Sequence, residues 1–196
     1  MLALRDEPFA AEQLLNQVDQ AEILRVPVMS AARLEGNQAL AICRCDPGPG
    51  LDLTRDLEIW VRVAWINAEQ PALKLLAGEG IGRFGADGDP CVSAFARDLL
   101  ERNLLPLLPP SRAVTVEPVF PRGRELAQRT SNAAFGVVDG LALIGTQAEV
   151  QRSAAPDQLQ SVLAELKRLA AEPGFPGRLV LAIGENGLAL ARERGW

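Results

Sequence analysis

The chain has 196 residues, 48% of them apolar and 23% charged, with a formal net charge of −5 at pH 7. That length and apolar content allow a sizeable core, in one large domain or two small ones, and oppose disorder. The acidic balance leaves no global field to hold nucleic acid or an anionic membrane, so an anionic ligand would need local arginines.

The N-terminal MLALRDEPFA carries acids within its first residues and lacks the apolar core of a secretory signal. No later stretch approaches a membrane span, and a cytoplasmic protein is expected. Residues 10–18 have helical spacing (Leu14, Leu15, Val18) and predict a short opening helix. From residue 23 to 45 the pattern turns extended, with Glu35-Gly36-Asn37 as a hairpin turn and Pro27 placing the first strand at an edge. Cys43 and Cys45 end this run. With no histidine in the chain and only Cys91 as a distant partner, a tetrahedral metal site would need a carboxylate such as Asp46. Buried strand cysteines in a reducing compartment are the preferred reading, and no metal is expected.

A Pro-Gly loop at residues 46–53 precedes a strand in which Leu57, Ile59, Val61, Val63 and Trp65 share one face, and Glu58, Trp60 and Arg62 the other. Gly80, Gly82 and Gly85 then spell a dinucleotide-binding fingerprint. Asp89-Pro90 delays the next helix to about Ser93, so a hairpin or wide glycine loop needing positive φ competes with nucleotide binding. Residues 93–105 predict a helix burying Phe95, Leu99, Leu100 and Leu104. A β-branched strand at 114–116 follows, then a short basic helix at 122–130 and a second apolar strand. That strand brings Gly145 and Thr146 to its carboxyl end, where open α/β sheets place ligands. Ser153 as a cap and Pro156 in the first turn start another helix, which Pro173-Gly174 ends. Residues 179–183 read as a buried strand, followed by a turn at 184–187 and a final helix. The fold class expected is α/β (or α+β): a hairpin-rich mixed-sheet portion, residues 1–111, then a strand–helix–strand, Rossmann-like portion, residues 112–196.

Several of these stretches resemble one family. Pro121, Gly123, Glu125, Leu126, Ala127, Thr130 and Asn132, followed by FGVVDGLALIGT at 135–146, are similar to the signature region of the CbiD family, cobalt-precorrin-5B C1-methyltransferases of cobalamin biosynthesis. Asp52, Thr54, Glu58 and Ile59 resemble a further family segment, and Gly78-Glu79-Gly80-Ile81-Gly82-Arg83 the family's GEGVGR-like loop. Leu179, Val180, Leu181, Gly184, Asn186 and Gly187 follow a LVLTPGNxGE-like element with shifted spacing. The chain departs from the pattern where Asp56 and Asp139 replace glycines, Ala133-Ala134 replace Pro-Arg and Gln147 replaces threonine. Relatives of this kind begin with a GYTTGTCAAAAA-like segment and run past the last helix, so the chain reads as shortened at both ends.

The resemblance implies methylation with S-adenosyl-L-methionine as the cofactor and a cobalt-precorrin tetrapyrrole as the partner, with no nucleic acid and no membrane; a homo-oligomer stays open. Gly78, Gly80, Gly82, Gly145, Thr146, Gly184 and Asn186 are the cofactor-binding candidates. Arg122, Arg124, Arg129 and Asn132 are candidates for the substrate's carboxylates, and Glu79 and Asp139 for proton transfer. A chain without histidine or tyrosine suits catalysis by positioning better than hydrolysis by a triad. The alternative is a non-catalytic tetrapyrrole- or nucleotide-binding module.

Overall fold

The ten residues of β5 (Glu58–Asn67) form the spine of the largest sheet in a computed structural model that describes residues 1–8, 10–18, 21, 23–48, 53–67, 71–85, 88–145, 156–182 and 184–196. The chain divides into two compact units, Met1–Ala148 and Glu149–Trp196.

In the first unit, β3 (Ser30–Leu34) and β4 (Gln38–Arg44) form the predicted hairpin, with Gly36 and Asn37 both at positive φ in its turn. β4 pairs antiparallel with β5, and β5 with β9 (Arg112–Val119). β6 (Leu73–Leu75) adds to the far side of β9 in parallel, giving the order β3-β4-β5-β9-β6. The alternation read from the sequence holds: Leu57 and Val63 are buried while Arg62 is exposed. Val63, Leu73, Val114 and Val116 pack with Ala39 and with Leu4 of a short 3₁₀ turn, Leu2–Arg5, into one core cluster.

Residues 10–18 are a correction. They form not a helix but β1 (Glu12–Asn16), antiparallel to β2 (Ile23–Pro27), with Leu15 opposite Leu24 and Gln13 opposite Val26 on the half-buried face. A pairing partner outweighed a weak helical spacing. Pro27 ends β2 in this two-stranded sheet, as an edge strand requires. The other backbone edge of β1 is met by an amide: Asn103 Oδ1 accepts from the Asn16 N–H at 2.8 Å and its Nδ2 donates to the Asn16 carbonyl at 2.9 Å. Asn103 belongs to α1 (Ala94–Leu104), which Ser93 caps by accepting from the Ala96 N–H at 3.1 Å.

The stretch after β6 builds a second, smaller framework. β7 (Gly80–Ile81) lies parallel to β11 (Gly140–Leu141), and β8 (Arg83–Phe84) antiparallel to β10 (Val137–Val138). Gly80 and Gly85 both have φ of +73°, as the glycine loop that competed with a helix-opening fingerprint requires. Between β9 and β10 sit α2 (Gly123–Ala127), shorter than the helix predicted over 122–130, and a 3₁₀ turn, Asn132–Phe135. Leu57, Ile81, Phe120, Leu126 and Leu141 form the second core cluster.

The second unit holds α3 (Pro156–Ala170) and α4 (Gly184–Glu193). Proline opens α3 where its missing N–H costs nothing, and Gly174 follows the helix at φ of +92°. Arg168 pairs with Glu165 and Glu172 along one face, and the Arg178 guanidinium stacks 4.4 Å from the Trp196 ring. The strand expected at residues 179–183 is corrected. Residues 179–182 form no strand, and Leu179, Val180 and Leu181 are exposed. A strand needs a hydrogen-bonded neighbour, and no other strand stands among the described residues of this unit. The mixed α/β class therefore holds without the Rossmann-like detail.

Candidate functional site

The parallel ladder between β6 and β9 does not stop with β6. The Leu76 N–H donates to the Val116 carbonyl at 2.9 Å, the Gly78 N–H to Pro118 at 3.1 Å, and the Phe120 N–H to the Glu79 carbonyl at 2.9 Å. Residues 76–79 are thereby fixed to the end of β9, and a cavity of about 320 Å³ opens beside them. Its lining brings together Gly78, Glu79, Gly80, Arg83, Glu117, Arg124 and Asp139, drawn from four separate stretches of sequence. A neighbouring concavity of about 360 Å³ runs from Arg124 and Ala127 past Asn132 to Val138 and Asp139. Arg124 and Asp139 border both.

The glycines here are dictated by backbone crossing. A Cβ on Gly78 would stand 2.3 Å from the Pro118 carbonyl oxygen, and one on Gly80 would stand 2.1 Å from that of Phe120. Gly80, Gly123 and Gly140 meet: a Cβ on Gly123 or Gly140 would lie 2.1 or 2.0 Å from the Gly80 carbonyl oxygen. The room these residues give up is taken by the protein's own chain, which packs β7, α2 and β11 at distances no side chain permits. Gly82 follows the same rule. It is buried, its N–H donates to Leu141 at 2.7 Å, its carbonyl accepts from Cys91 at 2.8 Å, and it does not line the cleft.

Asp139 has a φ of +68° and Asp56 of +57°. Both positions at which the family pattern has glycine are thus left-handed, and aspartate is among the few other residues that visit this region routinely. At these two positions aspartate adopts a backbone that glycine favours.

Among the charged groups, Glu117 is held by Arg62 through bonds of 2.8 Å and 2.6 Å, so its charge is already met. Arg83 is half-buried and donates one Nη2 hydrogen to the Ala77 carbonyl at 2.9 Å. Glu79, Arg124 and Asp139 are exposed and make no ion pair among the described residues. Arg122 clasps Glu125 through bonds of 3.0 Å and 2.8 Å and lines neither cavity; that bond, with Arg129 adding its charge, holds the Glu125 carboxyl below its usual range. Arg129 borders neither cavity either. Asn132 donates through Nδ2 to the Gly140 carbonyl at 3.0 Å while lining the neighbouring concavity.

Gly145 follows β11 as an exposed residue, its carbonyl accepting from Ser93 Oγ at 2.7 Å. Thr146, like Asp52 and Gln147, lies outside the described residues. Gly184 and Asn186 stand in the first turn of α4, in the second unit. Sequence reasoning missed Arg83 and Glu117 in the cleft. Arg83 closes the glycine loop and was within reach; Glu117, a lone charge inside an apolar strand, was a signal too. Elsewhere, among the described residues, a cavity of about 200 Å³ has Gln13 as its only polar lining side chain. Cys43, Cys45 and Cys91 are free thiols, and among the described residues no group of three acidic, cysteine or histidine side chains is placed to hold a metal.

A mixed α/β protein with a charged, small-molecule-sized cleft beside a parallel strand pair is the class these features define. The chain belongs to the CbiD family, whose model matches residues 2–152. It is 72% identical over 192 residues to a cobalt-precorrin-5B C(1)-methyltransferase of Synechococcus sp. (strain CC9605), covering 98% of this chain and 52% of that one. A relative of the same name from Parasynechococcus marenigrum (strain WH8102) is 67% identical over 193 residues, covering 98% and 54%. The chain thus spans about half the length of these relatives. The crystal structure of the cobalamin biosynthesis protein CbiD from Archaeoglobus fulgidus shares the fold, with a TM-score of 0.56 and 18% identity over 98% of this chain and 62% of that one. Among the described residues no helix is long and apolar enough to cross a membrane.

Proposed function

We propose that this chain acts in the methylation of cobalt-precorrin-5B at C1, with S-adenosyl-L-methionine held in the cleft around residues 78–80 and the tetrapyrrole beside it. The observation that carries the reading is convergence: Gly78, Glu79 and Gly80 of the glycine loop and Arg124 and Asp139 of the signature region border one cavity. The names of the relatives support the chemistry, and the three free cysteines suit a reducing cytoplasm.

The residues fit the donor. The cleft is of small-molecule size and its lining is predominantly polar, carrying both cations and carboxylates. When bound, S-adenosyl-L-methionine supplies an electrophilic methyl group, and the reduced tetrapyrrole offers the carbon that accepts it. The chain's own part is placement. Residues 76–79 form a wall tied to β9 by three backbone bonds, and Arg124 and Asp139 stand where the cleft meets the neighbouring concavity. Arg124 is placed to pair with a carboxylate arm of the substrate or with the donor, and the exposed carboxylates of Glu79 and Asp139 stand in the same cleft.

The test is a turnover assay with cobalt-precorrin-5B and S-adenosyl-L-methionine labelled in its methyl group, alongside calorimetric titration of each ligand. Label transferred to the tetrapyrrole supports the reading. Binding without transfer assigns the chain as a tetrapyrrole- or nucleotide-binding module, and absence of both overturns the site.

A further inference from the structure

Four ionisable side chains of the cleft have charges that no ion pair meets among the described residues: Arg83, Arg124, Glu79 and Asp139. Glu117, the fifth, is satisfied by Arg62. Two cations thus face one small space with two carboxylates. A polyanion such as a many-armed tetrapyrrole is poorly served there, because each anionic arm drawn to an arginine also meets Glu79 or Asp139. A zwitterion is matched at both poles. Among the described residues the lining contains no aromatic side chain on which an adenine could stack, so none of them seats the purine in this pocket.

We propose that this cleft takes the amino-acid end of the methyl donor. The guanidinium groups of Arg83 and Arg124 donate to the α-carboxylate, and Glu79 and Asp139 accept from the α-ammonium. The inference rests on the donor-cleft reading above and adds which pole lies here. Arg83 is suited to the part: its bond to the Ala77 carbonyl orients the fork while leaving its other N–H groups for a ligand. The backbone carrying Glu79 is fixed by the Phe120 bond, and Asp139 is presented by a left-handed residue between β10 and β11.

Two ligands differing only at that pole supply the experiment: S-adenosylhomocysteine, which has it, and 5′-methylthioadenosine, which does not. Calorimetric titration of the 196-residue chain is expected to show the first binding about 100-fold tighter or more, and Arg124→Gln to weaken it about tenfold while leaving 5′-methylthioadenosine unchanged. Because Arg124 is exposed, its substitution should leave the melting temperature alone; the half-buried Arg83, changed to Gln, should give the same ligand-selective loss. Equal affinity of the wild-type chain for both ligands, or parallel weakening of both in Arg124→Gln, overturns the proposal while sparing the donor cleft. Failure of a folded wild-type chain to bind either ligand overturns the cleft reading itself.

Discussion

Gly140→Ala tests the packing that shapes the cleft. The added Cβ would stand 2.0 Å from the Gly80 carbonyl oxygen and 2.2 Å from its carbon, so β11 and β7 must part by about 1.4 Å to reach the 3.4 Å at which ordinary contact begins. The obstacle is backbone, with no side chain to swing away. Overpacking of a filled site costs about 1–3 kcal/mol. Parting these strands also strains the Gly82 to Leu141 bond at 2.7 Å, worth about 1 kcal/mol net. A loss of about 3 kcal/mol follows, or a melting temperature lower by roughly 6–12 °C for a unit of this size. Gly85→Ala is the control. Its φ of +73° is one Gly140 does not have, and nothing lies within 4 Å of its added Cβ, so only the left-handed penalty of about 1–2 kcal/mol applies there. Urea unfolding followed by Trp60 and Trp65 fluorescence in a Trp196→Phe background reports on the first unit, since both indoles lie on β5. If Gly140→Ala were no less stable than Gly85→Ala, the account of the glycine crossing would be refuted.

Asp139→Val should cost about 1–2 kcal/mol in the same unfolding experiment, because a β-branched side chain fits a φ of +68° badly, whereas Asp139→Gly should stay within about 0.5 kcal/mol of wild type. Equal effects would show that the backbone at 139 relaxes freely. Burial pushes the Cys43 thiol above its ordinary value, with nearby Cys45 adding to it, and burial does the same to Cys91. The fold therefore keeps these protons longer than the unfolded chain does. Their contribution is intact below the unfolded thiol value of about 8.5 and is lost as pH rises through the folded values. Urea midpoints should fall from pH 7.5 to about 9.5, and less so in Cys43→Ser/Cys91→Ser; an identical fall in both proteins would remove the thiols from the explanation.

Local signals were the ones legible in the sequence. The turn at Glu35-Gly36-Asn37, the alternation along β5 and the helix start near Ser93 are each written within a few residues, and each is formed. The helix expected at residues 10–18 was not, because what makes β1 a strand is Ile23–Pro27 across a loop, and pairing is not written in the spacing of Leu14, Leu15 and Val18. Leu179, Val180 and Leu181 show the reverse error: an apolar run states a preference for burial without naming what covers it. The motifs of the cleft were readable one at a time through resemblance. Their meeting depends on β6 lying parallel to β9 and β7 parallel to β11, pairings between residues far apart in sequence. The glycines stood out as cofactor-binding candidates, but that Gly78, Gly80 and Gly140 cross the Pro118, Phe120 and Gly80 backbone too closely for a Cβ is written in no single motif.

β9 is an interior strand of its sheet, paired on both sides by β5 and β6, and the same strand's end anchors Gly78 and Glu79. Selection acting on this protein therefore cannot reshape the pocket floor gradually: a drift in that backbone would be purged as a folding defect before any altered ligand preference could be favoured. Divergence within such a lineage is channelled into the side chains that project from the rim, while the scaffold beneath them stays constant.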